Sequence, residues 1–516
     1  MPICLLLSVI LSSTNVSFGA LYDWAENGGE NRLLRLNIPD SIGTGTVRGL
    51  LIYANTYQGN SINKATDAEL VAFASGIDFA VLATAEWYNF SEPDDAELLL
   101  FETALAELAN DSGHPELANA PWLPVGFSNG GQFSYGLAAK RPEMVIAFVV
   151  SKGCCYSTFS PGEATRKVPG LLIAGENDTT LRRDNIHLLY SQNRALGALW
   201  SWVEEEATGH TENNEEDLKL PFLAEAYRLR YPEDQSPANG TVTLNELNPN
   251  TGWLVDQTTW GSGYTDIYPY TEIDDDPSSE PTDYGWVLNE KIARLYRSFA
   301  SRLKVTNEPT GTNSPVAIST TVSYSPDLTN NLQWSEIDNY VDGHLLSTTA
   351  SGSSPTDSID FTYGGLYAFH SVITLSNGSK RVSQLNRVYI EGTTPSNRFE
   401  NWLYDRYKPA DHFAGALDSN GYTAIETYAF DLDTSLSNFP QIQSPAVYQF
   451  TQRSDLEGSG VLFEVRTNSN LLIDSWSTLT PDDPSYSLSY NVVTVDLSAG
   501  GSLSNFAKTI LTEASE

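Results

Sequence analysis

Cysteine is scarce in this chain of 516 residues: there are three, beside two methionines and six histidines. Cys4 lies in an apolar N-terminal run and Cys154 and Cys155 are adjacent, so no spaced Cys/His framework exists to hold zinc. Neighbouring cysteines rarely form an unstrained bridge, because typical disulfide Cα separations exceed what adjacent residues readily adopt. Two buried thiols are therefore expected, with a vicinal disulfide as the alternative. Basic residues are scarce too: 29 Lys plus Arg stand against 65 Asp plus Glu, a formal net charge of -36. Such a surface repels DNA, RNA and anionic membranes, whose recognition depends on Lys and Arg contacts to phosphate, so no nucleic-acid partner is expected. It suits saline or extracellular conditions. Beyond the N-terminus no run reaches the ~20 apolar residues of a membrane span, which argues against membrane insertion. Neither a metal nor a cofactor is expected.

What is present begins with a targeting pattern. Ile3 to Ile10 is almost wholly apolar and Ser17-Phe18-Gly19-Ala20 offers small residues for a peptidase, although a basic n-region is missing. Residues 1–20 are read as a signal peptide, and the protein as secreted, periplasmic or at the cell surface. From Val47 to His210 short apolar runs alternate with helix-like stretches: strands at Leu50 to Ala54, Phe79 to Ala83, Trp122 to Gly126, Val145 to Val150, Gly170 to Gly175 and Ala198 to Val203. Between them Asp67 to Ser75, Asp94 to Asn110, Gln132 to Lys140 and His187 to Leu196 carry helical spacing. Strands apolar on both faces and separated by helices predict an α/β domain, a mostly parallel sheet flanked by helices. After His210, Leu218 to Arg230 reads as a helix, Gly252 to Tyr270 as an aromatic segment and Tyr284 to Leu303 as one closing helix, so the domain spans 21–303. A Thr, Asn, Gly and Pro linker follows at 304–315. The period then changes to two, and Val316 to Tyr324, Phe361 to Tyr367, His370 to Leu375 and Arg387 to Glu391 predict an all-β sandwich over 316–395. Residues 396–516 read as a small, mainly β module with helical pieces at Phe399 to Tyr407 and Thr423 to Phe430.

The chemistry is carried by Gly126-Phe127-Ser128-Asn129-Gly130, a G-x-S-x-G pentapeptide between a strand and a helix. That turn pushes the serine oxygen out of the backbone, and the glycines leave room for the tight turn and for a carbonyl substrate. A serine hydroxyl needs a base, and the base needs an acid to hold its tautomer. Asp178, in Gly175-Glu176-Asn177-Asp178 after one strand, and His210, in Thr208-Gly209-His210 after the last, supply them in the chain order Ser, acid, His. Glu176 and Asp184 compete with Asp178, which is preferred for its shorter side chain in a turn begun by Gly175. His114 and His187 are read as surface or packing residues. The oxyanion of a tetrahedral intermediate needs two donors: the N–H of Asn129, and that of Thr56 or Tyr57 in the loop after the first of these strands. Trp87 and Tyr88 could line an acyl or aromatic pocket, or merely pack.

On these motifs the stretch from Val47 to His210 resembles the α/β-hydrolase superfamily, in particular its exported esterase and depolymerase-like branch. The resemblance implies hydrolysis of an ester, less often an amide, without a cofactor. The loop Asn55-Thr56-Tyr57-Gln58-Gly59 departs from the His-Gly-Gly run of many lipases and esterases, which leaves the second donor open. The C-terminal part resembles modules of secreted multidomain bacterial proteins: an immunoglobulin-like sandwich, then a tail from Trp402-Leu403-Tyr404 containing Asp418-Ser419-Asn420-Gly421. That segment looks like a degraded calcium loop, because Ala416 and Thr427 stand where an EF-hand-type loop has carboxylates. The resulting expectation is a secreted serine hydrolase of carboxylic esters, small or polymeric, with cell-surface or glycan contact through its C-terminal modules. Its rivals are a serine peptidase using the same triad and a non-catalytic adhesin on a hydrolase scaffold.

Overall fold

The computed structural model describes residues 19–26, 32–54, 56–57, 59–85, 95–232, 235–272, 281–306, 316–317, 321–328, 332–391, 416 and 424–429, and seven strands beyond 440. Eight strands form the main sheet: β1 (Ala20–Ala25), β2 (Leu33–Ile38), β3 (Gly49–Ala54), β4 (Phe79–Ala85), β5 (Trp122–Phe127), β6 (Phe148–Ser151), β7 (Gly170–Gly175) and β8 (Trp200–Glu205). Their spatial order is β1-β2-β4-β3-β5-β6-β7-β8. β1 and β2 pair antiparallel at one edge, and every pairing from β4 to β8 is parallel. The helices are α1 (Ala68–Ser75), α2 (Asp95–Ser112), α3 (Asn129–Lys140), α4 (Glu163–Arg166), α5 (Thr180–Arg194), α6 (Glu216–Arg230) and α7 (Glu290–Ala300). This is an α/β-hydrolase-like core.

The strand sequences explain the layers. In β3, Leu51 and Tyr53 join one core with α1, α6 and α7, while Leu50 and Ile52 join another with α2, α3 and α5. Val149 and Phe148 of β6, and Leu171 and Leu172 of β7, divide the same way. Each such side chain contributes roughly 1.5–3 kcal/mol on burial, so both faces must be covered for the sheet to persist. Asp67 starts α1 by accepting hydrogen bonds from the N–H groups of Glu69 and Leu70.

The predicted closing helix over Tyr284 to Leu303 begins differently. Tyr284–Val287 is a strand, β11, beside β9 (Trp253–Asp256) and β10 (Ile267–Pro269) in a small antiparallel sheet. Helix α7 starts after Asn289, whose side chain accepts from the N–H of Ile292. The aromatic residues of Tyr284–Val287 alternate with apolar ones, and the capping asparagine marks where helical spacing begins. β1 and β2 have no counterpart among the strands expected from the sequence.

Beyond the core, Val316–Ala317, Asn386–Glu391, Gly365–Leu375, Trp334–Val341 and His344–Ala350 form a sheet in that order, with Lys380–Val382 paired to Gly365–Leu375. The expected strands at Phe361 to Tyr367 and His370 to Leu375 are one strand here, Gly365–Leu375. A two-stranded sheet joins Val322–Tyr324 to Asp357–Ile359. Further along, Ala424–Ala429 is helical, and strands such as Val447–Thr451, Val461–Asn468 and Val492–Asp496 make two more antiparallel sheets. The segments Phe399 to Tyr407 and Asp418 to Gly421 lie outside the described residues, as does most of the expected leader. Among the described residues no helix is long and apolar enough to cross a membrane.

The first accessory sheet is docked on the core. Ala368 and Leu385 belong to the same buried cluster as Leu218, Ile292 and Phe299. Arg387 pairs with Asp217 at 3.0 Å and with Glu69, Arg294 donates to the carbonyl of Gly343 at 2.7 Å, and Ser298 donates to that of Ser383 at 2.7 Å. His370 sits in this interface, 1% exposed and stacked on Tyr340 with ring centroids 4.9 Å apart. Burial, with Arg297 and Arg294 nearby, pushes its imidazole down to about 3. A histidine that protonates near 6.5 unfolded but not folded loses stability as pH falls from 6.5 toward 3, by up to about 1.4 kcal/mol per pH unit. His370→Phe, which keeps the stack, is expected to flatten the fall of the thermal midpoint between pH 6.5 and 4.5. Parallel curves for variant and wild type would refute this role.

Candidate active site

The carboxyl end of the main sheet gathers the polar residues. Ser128 follows β5 with φ 57° and ψ -121°, a left-handed conformation at the mouth of α3. Such a backbone costs of order 1–3 kcal/mol in a residue with a Cβ and holds only where its surroundings fix it. One fixing contact is the Ser128 N–H, which donates to the carbonyl of Ser151 at the end of β6, 2.8 Å away. Gly126 is needed for another reason: a Cβ there would lie 2.0 Å from the carbonyl oxygen of Gly130.

Asp178 and His210 come from loops that touch. A Cβ on Gly175 would fall 2.3 Å from the carbonyl oxygen of Gly209, and the N–H of Asn177 donates to that of Thr208 at 2.8 Å. Across this close approach His210 Nδ1 lies 2.8 Å from Asp178 Oδ2, and His210 Nε2 lies 3.0 Å from Ser128 Oγ. These contacts fit the tautomer with hydrogen on Nδ1, donating to the carboxylate, and a free lone pair on Nε2. The Asp178 side chain is 2% exposed, and its second oxygen accepts from the Thr179 N–H at 2.7 Å. The imidazole is about one-third exposed and packs on the ring of Phe127, centroids 4.8 Å apart. The competing carboxylates are occupied elsewhere or distant: Glu176 accepts from the N–H of Ala207 at 2.7 Å, and Asp184 is exposed on α5. His114 bonds Glu116 at 2.8 Å, and His187 packs against Trp202.

Asn129 opens α3, so its N–H is among the four amides a helix leaves unpaired, at the positive end of the helix dipole. Pairing of Ala54 with Gly126 puts the loop after β3 at the same sheet edge as Ser128. In that loop the carbonyl of Thr56 accepts from Gly59 N–H at 2.9 Å and Tyr57 is exposed. Trp87 and Tyr88 lie outside the described residues. Two surface cavities of about 530 and 610 Å³ open elsewhere, one lined by Pro39, Thr44 and His114 and the other by Trp24, Arg35 and Asn60. Neither borders Ser128.

The expected pair of free thiols is corrected: Cys154 and Cys155 are bonded to one another, in the loop after β6. The bond forms although the two Cα atoms stay 3.8 Å apart, and Cys155 is in the left-handed region, φ 58°. Its N–H donates to Asn185 Oδ1 at 3.2 Å, and its carbonyl accepts from Gln132 Nε2 at 3.3 Å, one turn of α3 beyond Ser128.

Sequence reasoning also missed a buried ionic cluster beneath the His210 loop. Lys152, fully buried, pairs with Glu205 at 2.7 Å and with Glu215; Lys219 pairs with Glu215 at 2.9 Å and Glu216 at 3.1 Å. Burial alone would raise the Glu215 carboxyl, but Lys219 and Lys152 outweigh it and hold it at about 2. Glu212 goes the other way: burial, opposed by Lys219 and helped by Glu215 and Glu216, pushes it up to about 7 while it accepts from the Tyr53 hydroxyl. The only signal in the sequence was Lys152 directly after an apolar strand.

No protein-family profile matches the chain, and no curated protein matches it. Among solved structures it is similar to esterase PE8, with 19% identity over 35% of this chain and 94% of that one, TM-score 0.28. The hyperthermophilic esterase from the archaeon Pyrobaculum calidifontis shares 14% identity over 42% of this chain and 85% of its own, TM-score 0.31. The fibronectin(III)-like modules of Clostridium thermocellum CbhA share 20% over 17% of this chain and 46% of theirs, TM-score 0.14. At these values the likeness says nothing of substrate.

Gly126→Ala should destabilise the protein by at least ~2 kcal/mol, because backbone rather than a flexible side chain blocks the added methyl. An unchanged thermal midpoint would contradict so tight a turn. Glu212 ionises near 4.5 unfolded but about 7 folded, so it costs stability as pH rises through that window and most above 7. Glu212→Gln is expected to raise the thermal midpoint at pH 8, by on the order of 2–4 °C, and to change nothing at pH 4.5. The reverse pattern would exclude a raised carboxyl.

Proposed function

We propose that this protein is a serine hydrolase of carboxylic esters. The observation that carries the reading is the continuous hydrogen-bonded chain from Asp178 Oδ2 through His210 to Ser128 Oγ. In this mechanism His210 Nε2 takes the Ser128 proton as Oγ attacks the ester carbonyl, and then delivers it to the leaving alcohol. Asp178 holds the ring orientation and stabilises the imidazolium that forms. The Asn129 N–H, at the positive end of α3, receives the developing oxyanion, with a second donor from Thr56 or Tyr57. Water then repeats the cycle on the acyl-enzyme.

The imidazole beside the active serine is about one-third exposed, which is compatible with a substrate anchored to a polymer or surface. An exported protein fits the Cys154–Cys155 bond, since disulfides persist in oxidising compartments. Hydrolysis of p-nitrophenyl esters from acetate to decanoate, with fluorophosphonate labelling, tests the reading. Ser128→Ala should abolish turnover and labelling together, and Asp178→Asn should lower kcat by about 10³–10⁴-fold while the protein stays folded. Labelling without ester turnover would favour a peptidase, and neither signal in the folded wild type would favour the binding module.

A further inference from the structure

We propose that Lys152, with Ser151 and Glu215, is a positioning device that sets the distance between His210 and Ser128; this rests on the serine hydrolase reading above. The loop that carries His210, residues 206–215, contains no apolar side chain larger than Ala207, and Thr211, Asn213 and Asn214 are exposed. Apart from the His210 ring against Phe127, hydrophobic packing offers little to fix it, and polar contacts must.

Besides those from the loop after β7 to Ala207 and Thr208 and from Tyr53 to Glu212, the contacts at both ends of the loop converge on the end of β6. At the start of the loop Glu205 reaches Lys152 Nζ at 2.7 Å through one oxygen, while its other oxygen accepts from the N–H of Asn214 at 2.8 Å. At the far end of the loop Glu215 accepts from Lys152 Nζ and from Ser151 Oγ, the latter at 2.6 Å. One ammonium thus ties both ends of the loop together. Ser151 closes the circuit, because its carbonyl accepts from the N–H of Ser128 itself at 2.8 Å. Nucleophile and base loop are held by the same two consecutive residues. Lys152 is 0% exposed and has a left-handed backbone, φ 47°, anchored by its N–H to the carbonyl of Ile173 at 2.7 Å.

Burial gives the device its stiffness. An ammonium out of water tolerates only arrangements that keep its carboxylates in place, so the loop has one resting position rather than several. Paired buried ions are weak evidence for stability, since apolar replacements often serve as well. Their location across the base loop points to geometry instead. A displacement of the base by about 1 Å costs on the order of 100-fold in rate.

The test uses the full-length chain, p-nitrophenyl acetate, and a fluorophosphonate that counts active sites. Ser151→Ala removes one hydrogen bond and keeps the backbone contact to Ser128. The double variant Lys152→Met with Glu215→Gln removes one buried charge of each sign. Expected are a fall in kcat per labelled site of ~10-fold for the first and ~100-fold for the second, with KM within about threefold. The labelling rate should fall in parallel. A purely structural role would lower the thermal midpoint and the number of active sites but leave kcat per labelled site within about twofold, which overturns the proposal. If the double variant does not fold, Ser151→Ala decides alone. A wild type that neither turns over nor labels removes the hydrolase reading and this inference together, whereas active variants beside an active wild type remove only this one.

Discussion

A parallel sheet that is apolar on both faces has no place for a polar side chain except at the ends of its strands. From β3 to β8 the strand interiors are occupied by residues that must face helices on either side, so chemistry is displaced to the carboxyl edge. Ser151 ends β6, and Ser128, Lys152, Asp178 and His210 follow strands directly or by a short loop. The same constraint explains why the loops at that edge need glycine. Gly175 allows two loops to pass in contact with backbone, and Gly126 allows the strand to turn against the helix it feeds. Larger residues at either position would separate groups whose hydrogen bonds span 2.8 and 3.0 Å.

Much of this is legible in the sequence because the signals are local. Gly170 to Gly175 reads as a strand with the bounds it has, since a continuous apolar run bounded by glycines has few other uses. Ser128, Asp178 and His210 can be named because each follows such a run at a short, fixed offset. The β1–β2 edge is not legible: Ala20–Ala25 has Asp23 among apolar and aromatic residues without a period of two, and it begins on the last residue of a segment that also reads as a leader. The hairpin joining Trp334–Val341 to His344–Ala350 escapes the period-two reading although Asp342-Gly343 announces it. Both residues have positive φ, 47° and 74°, as a two-residue hairpin turn requires. The ionic cluster is illegible for a different reason. Glu204 to Glu206 and Glu212 to Glu216 read as ordinary solvated acid in a chain already carrying -36, and only three-dimensional pairing singles out Glu205 and Glu215.

That acidity sharpens the meaning of the buried cations. With 29 basic residues in 516, a lysine placed where no water reaches is an unusual use of a rare charge. Lys152 and Lys219 neutralise carboxylates that would otherwise repel one another beneath the His210 loop, and the opposite shifts of Glu215 and Glu212 record where neutralisation is complete and where it stops. Glu215, between two ammonium groups, stays ionised. Glu212, at the rim with one distant lysine at 4.0 Å, holds its proton to near neutrality.

The accessory sheet enters the same argument. A module tethered only by a linker would leave the core's surface helices to solvent, but Ala368 and Leu385 complete a cluster containing α6 and α7. Arg387 meets Asp217, in the first turn of α6, and Glu215 immediately precedes that helix. Helix α6 is therefore held at its N-terminus from two sides: by the sheet end through Lys152 and Ser151 on Glu215, and by the accessory sheet through Asp217. A helix fixed at the residue where the His210 loop ends cannot shift without moving that loop. The docked sheet then belongs to the framework of the site and stands at a fixed attitude to Ser128.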